Sequence, residues 1–166
     1  MLRGKAFKLG DNISTDDIVP GRLAHLRSNL PELAKHVLED VEPALASRIK
    51  AGDFIVGGEN FGLGSSREHA PIVIKMAGAS AVLAKSVARI FFRNATNVGL
   101  PVIICDTDNI GDGDELEVDL AQGTIRNLTN GAGFACAKPP QVMLTILEEG
   151  GLIPYIKKYG GFQLPS

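Results

Sequence analysis

The sequence predicts an α/β domain with a mixed sheet flanked by helices, and three observations predict it. Short apolar runs alternate with helix-length segments between residues 53 and 106. A two-stranded hairpin pattern follows them. The length of 166 residues, with 45% apolar and 22% charged composition, suits one globular unit around one core. A net charge of −2 and a pI near 5.9 give no basic footprint, so neither nucleic acid nor an anionic membrane is expected as a partner.

Along the chain, "GKAFKL" at 4–9 alternates like a strand and runs into "GDNISTDDIVPG" at 10–21, a loop rich in side-chain oxygens. "SNLPELAKHVLED" predicts a helix from Asn29 as N-cap to about Asp40, with Leu30, Leu33, Ala34, Val37 and Leu38 on one face. "EPALASRIKAG" predicts a second, short helix with Pro43 in its first turn and Gly52 just past its end. "DFIVGG" at 53–58 is a buried strand leading into a glycine-rich turn. "SREHAPIVIKMAG" at 66–78 then reads as a helix stopped by Gly78. "SAVLAKS" is a strand, "ARIFFRNATNVG" a helix ending at Gly99, and "PVIICD" a β-branched strand, which together make a right-handed parallel α/β unit. "DELEVDL", "AQG" and "TIRNLT" form an antiparallel hairpin. "QVMLTILEEGG" is the closing helix before a Pro- and Gly-rich terminus.

Several familiar patterns fail their own rules. "GLGSSR" from Gly62 opens like a dinucleotide fingerprint, but Arg67 stands where the third glycine belongs. "DTDNIGDGDELE" from Asp106 has calcium-loop spacings, yet Ile110 occupies a ligand position and a strand precedes it. His25, His36 and His69 lack metal-ligand spacing, and Cys105 and Cys136 read as small buried hydrophobes standing far apart. Met1 leads directly into a charged segment with no signal-peptide core, and no apolar run spans a bilayer, so a cytoplasmic location is expected.

Ser65, Ser66 and Arg67 remain, at a predicted strand-to-helix turn. One alternative is a serine cap with a solvated arginine. The other is an anion pocket: Gly57, Gly58, Gly62 and Gly64 admit a ligand to the backbone, helix amides favour anions, and an arginine grips a carboxylate with two prongs. Thr15, Asp16 and Asp17 form a second cluster, read either as a solvated turn or as carboxylates that orient the arginine or a reacting hydroxyl.

"GDNISTDDIVPGRL", "GENFGLGSSREHAP" and "AKSVARIFFRNATNVGLPV", in this order, resemble the small subunit of 3-isopropylmalate dehydratase and homoaconitase, equivalent to the swivelling C-terminal domain of aconitase. The likeness runs over nearly the whole chain and implies one swivelling β/β/α domain over residues 1–166. It implies a hydro-lyase subunit that isomerises a hydroxy acid by dehydration and rehydration, active only with a large subunit whose [4Fe-4S] cluster takes the hydroxide. By motif position Ser65 is the base, ionised as an alkoxide; Ser66 and Arg67 bind substrate carboxylate; and Asp16 helps arrange the site.

In the family, the segment after "TDD" is the specificity loop, here "GRLAHLRSN". Arg27 falls where aconitase and homoaconitase place an arginine for a third carboxylate, so it argues for a polar substrate unless it faces solvent. The reading is therefore 3-isopropylmalate dehydratase and leucine biosynthesis, with homoaconitase or a dehydratase of citramalate or 2,3-dimethylmalate as alternatives. A non-catalytic anion-binding module is the alternative from another class.

Overall fold

The computed structural model of the chain describes residues 1–160. Seven strands form one sheet in the order β4-β3-β2-β1-β5-β6-β7. They are β1 (Leu2–Lys8), β2 (Phe54–Val56), β3 (Ala81–Ala84), β4 (Val102–Ile104), β5 (Glu115–Asp119), β6 (Thr124–Asn127) and β7 (Gly133–Ala135). The half from β1 to β4 is parallel, and the half from β1 through β5 and β6 to β7 is antiparallel. The expected mixed sheet is therefore present, with β1 as the strand shared by both halves.

Side-chain alternation sorts the apolar residues into two cores. Ala6, Phe54, Val56, Ala81, Leu83 and Ile103 meet Leu116, Val118 and Ile125 on one face. Phe7, Ile55, Val82, Ala84 and Val102 point the other way, onto the helices. Both faces of the parallel half are buried, which is why its strands read as continuous apolar runs rather than alternating ones. The sheet also curls. Beyond the ends of β4 and β7, Cys105 and Cys136 form an isolated antiparallel bridge, and the Ala137 amide donates to the Ile104 carbonyl at 2.9 Å. The two cysteines are neighbours after all, because the curl brings the sheet's edges together. Burial pushes the Cys105 thiol up to about 12.

The helices are α1 (Thr15–Ile18), α2 (Leu30–Ala34), α3 (Leu45–Arg48), α4 (His69–Ala77), α5 (Arg89–Asn97), α6 (Gln141–Glu148) and α7 (Leu152–Tyr159). Three depart from the sequence expectation. The predicted loop at 10–21 contains α1, a helical turn held by a reciprocal cap: Asp17 N–H donates to Ser14 Oγ, and Ser14 N–H donates to an Asp17 carboxylate oxygen. Helix α2 stops at Ala34 rather than near Asp40. Leu38 sits buried with φ +56° and its amide is drawn to the Ile18 carbonyl at 3.1 Å, so the chain turns inward there. The supposed Pro- and Gly-rich terminus contains α7, with Tyr155 buried beneath it, while residues 161–166 lie outside the described residues. No helix among the described residues is long and apolar enough to cross a membrane.

Candidate functional site

The three motif segments all follow the carboxyl ends of parallel strands. Residues 10–23 leave β1, residues 58–71 leave β2, and residues 84–102 leave β3. In open α/β sheets this is the end at which ligands bind. The glycine-rich segment after β2 is laced between its two neighbours by single bridges, Ser14 to Leu63 and Phe61 to Val87. The Gly62 amide donates to the Ile13 carbonyl at 2.6 Å, and the Phe61 amide to the Ser86 carbonyl at 3.0 Å. Phe61 is fully buried and meets Phe91 edge-on, ring centres 5.4 Å apart. Gly62, at φ +80°, lies against that same Phe91 ring, where any Cβ would overlap it; only glycine fits this crossing.

The chain then enters Ser65, Ser66 and Arg67, and here the structure corrects the sequence reading. Helix α4 begins at His69 with Glu68 as its cap residue, and no side chain makes a cap hydrogen bond. The serines therefore do not cap the helix. The amides of its first turn do not begin at Ser65 either, so the cation in direct contact with this serine is Arg67.

Arg67 Nε donates to Ser65 Oγ at 3.4 Å, Nη1 to the Val19 carbonyl at 3.4 Å, and Nη2 to Asp16 Oδ1 at 3.0 Å. A guanidinium has five N–H donors. With one used on each nitrogen, one hydrogen on each Nη remains for a carboxylate from outside. Arg67 is about a quarter exposed, enough for a ligand to reach it.

The "TDD" loop divides its labour. Thr15 Oγ1 donates to the Ser65 carbonyl at 2.9 Å and fixes the serine backbone. Asp16 accepts from Arg67 and, on the same oxygen, from the Gly21 amide at 3.1 Å. Asp17 is consumed by the cap of α1. Ser65, Ser66, Arg67 and Thr15 line one cavity of about 220 Å³ together with Phe91, which is buried, and Arg89 and Ile90, which are exposed at the start of α5. Arg27 is not among these residues; it is exposed on the 3₁₀ segment Gly21–Ser28, which is tethered at its start by Arg22 to Glu39 and Asp40.

Comparison with known proteins points the same way as this geometry. The aconitase C-terminal domain family matches residues 11–106, which hold all the residues just described. Relatives named 3-isopropylmalate dehydratase small subunit 2 from Archaeoglobus fulgidus and small subunit 1 from Thermotoga maritima are 61% and 57% identical. Those alignments cover 97% and 98% of this chain and 98% of each relative. The chain belongs to the 3-isopropylmalate dehydratase small-subunit family. A crystal structure of 3-isopropylmalate dehydratase from Methanocaldococcus jannaschii superposes on it with a TM-score of 0.91 and 46% identity, covering 96% of this chain and 95% of that one. The aconitase-type swivel fold expected from the motifs is therefore the fold of the family and of this chain.

Membership in a small-subunit family implies a large-subunit partner. Among the described residues no three His, Cys, Asp or Glu side chains gather as a metal-holding group. Sequence reasoning overlooked Arg89 in the cavity lining, although it lies inside the third quoted motif, and gave Thr15 no definite role.

Proposed function

We propose that this chain, joined to a cluster-bearing large subunit, interconverts 3-isopropylmalate and its positional isomer by dehydration and rehydration, a step of leucine biosynthesis. The observation that carries the reading is the Ser65–Arg67 pair in the cavity at the carboxyl ends of the parallel strands, with Asp16 bound to Arg67 behind it. A serine is a poor base in water. Here Oγ faces the Nε hydrogen of a permanently charged guanidinium, so its ionised form gains a charge-assisted bond. Asp16 and the Val19 carbonyl hold the guanidinium plane from the other side and leave two outward hydrogens for a substrate carboxylate. With that carboxylate seated, Ser65 Oγ takes the proton from the carbon beside the hydroxyl-bearing one and returns it during rehydration. A [4Fe-4S] cluster held by the partner supplies the Lewis acidity for loss and return of the hydroxyl group. Arg27, exposed and outside the cavity, offers nothing to a third carboxylate there, which favours the alkylmalate over homoaconitate.

The test is anaerobic reconstitution with a cluster-bearing large subunit and side-by-side turnover of 3-isopropylmalate, citramalate and homoaconitate. Preference for 3-isopropylmalate, with turnover cut to a residual level by Ser65→Ala in a complex that still assembles, supports the proposal. Preference for homoaconitate, or full turnover by the Ser65→Ala complex, overturns it.

A further inference from the structure

Arg89 is the unexplained feature of this cavity. Among the described residues, two charged side chains line it, Arg67 and Arg89. Arg67 already has an ion-pair partner in Asp16 at 3.0 Å. Arg89 is exposed and makes no ion pair or side-chain hydrogen bond among the described residues, so it is the cavity's uncompensated charge. Nothing local accounts for it. It occupies the first residue of α5, where the helix dipole disfavours a cation, and Arg93 one turn later adds a like charge on the same face. Both effects work against helix stability, and no carboxylate at i+3 or i+4 relieves them.

A residue that weakens its own helix yet lines a site with a serine and a second arginine fits a ligand's charge better than the fold's. We propose that Arg89 is a second carboxylate-binding residue of the pocket, pairing with the carboxylate of a dicarboxylate substrate that Arg67 does not hold. This rests on the dicarboxylate reading of the preceding section and deepens it. One guanidinium on the β2–α4 loop and one at the start of α5 would grip the two ends of the substrate. Ser65, on the same loop as Arg67, lies beside the carbon chain between them. The same arrangement gives the third motif its function, because the 84–102 segment is what carries Arg89 to the cavity.

The experiment uses the reconstituted complex with Arg89→Gln and Arg89→Lys. The expected result for Arg89→Gln is a KM for 3-isopropylmalate raised about tenfold or more, with kcat within about threefold and subunit affinity unchanged, as loss of one carboxylate contact implies. Arg89→Lys recovers part of the loss. Binding of unreactive succinate and butyrate, measured by calorimetry on the same complexes, gives a readout independent of turnover. Wild type prefers the dicarboxylate, and Arg89→Gln loses that preference. If the wild-type complex fails to turn over 3-isopropylmalate, the proposed function falls, while the succinate and butyrate comparison still decides the role of Arg89. Weakened subunit assembly with unchanged KM and unchanged succinate preference would overturn the inference and make Arg89 a docking residue. No change in any of these measurements would also overturn it.

Discussion

Replacing Arg67 by lysine isolates the role assigned to the guanidinium, because three separate contacts converge on one side chain. An ammonium on a flexible stem reaches only one of the Ser65 hydroxyl, the Val19 carbonyl and the Asp16 carboxylate, and the shortest, to Asp16 at 3.0 Å, is the one it keeps. The Val19 carbonyl, on a residue only 1% exposed, then loses its donor, which costs about 1 kcal/mol of stability. The Ser65 contact matters more for rate, since it strengthens as the oxygen becomes an anion. Removing one donor from such an anion lowers kcat by roughly 10²–10³. The assay is turnover of 3-isopropylmalate by reconstituted complexes carrying Arg67→Lys, Ser65→Ala and both. If Arg67 acts on the chemical step through Ser65 Oγ, its replacement lowers kcat in wild type but adds nothing once the hydroxyl is gone. A double variant whose residual kcat falls by the same factor again would refute the coupling and leave Arg67 as a binding residue only.

Gly62→Ala forces both a left-handed backbone and a collision with the Phe91 ring, so urea unfolding should show a loss of about 2–4 kcal/mol. Gly113→Ala, at a similar φ of +84° but with open space around it, should lose only about 1 kcal/mol; equal losses would remove the steric argument. Asn127, only 1% exposed, donates to the Asn109 carbonyl and to Asp114, and accepts from the Thr129 and Asn130 amides. Asn127→Ala should therefore cost about 2–4 kcal/mol in denaturant unfolding, and a change below about 0.5 kcal/mol would contradict it. The Cys105 thiol, pushed from an ordinary 9.0 up to about 12, stays protonated when folded while the unfolded chain ionises. Its stabilisation is thus complete below pH 9 and lost as pH rises through 12, amounting to about 2 kcal/mol by pH 10.5. Urea midpoints at pH 8 and 10.5 should converge in Cys105→Ala relative to wild type; an unchanged pH slope would count against the burial.

The parallel half was legible because its signal is local. Buried strands such as "FIV" and "VII" are apolar on both faces, and Gly78 and Gly99 close the intervening helices. Boundaries decided by tertiary contact were not legible. Helix α2 ends early because Leu38 turns in to meet Ile18, and β7 exists only as a partner for β6. The cap of α1 did carry a pattern, serine followed three residues later by an acidic side chain, and Pro154 in the first turn of α7 was likewise a start signal taken for a breaker. At the site, residue identities were legible and their electrostatics were not. The motif placed Ser65 beside Arg67, but a helix beginning two residues beyond Arg67 leaves a guanidinium, not the amides of its first turn, in contact with the serine.

The seam between Cys105 and Cys136 has a consequence for how this chain meets another protein. An open sheet offers its outer strands as templates on which a second chain can add a strand of its own. Here the chain just past the two outermost strands meets in one bridge, so part of that edge pairing is used within the molecule. Side chains and loops at the carboxyl ends of the parallel strands then offer a partner more than that part of the sheet edge does. Contacts of that kind would leave the Cys105–Cys136 seam undisturbed, so the sheet's own pairing would not have to open for a partner to dock.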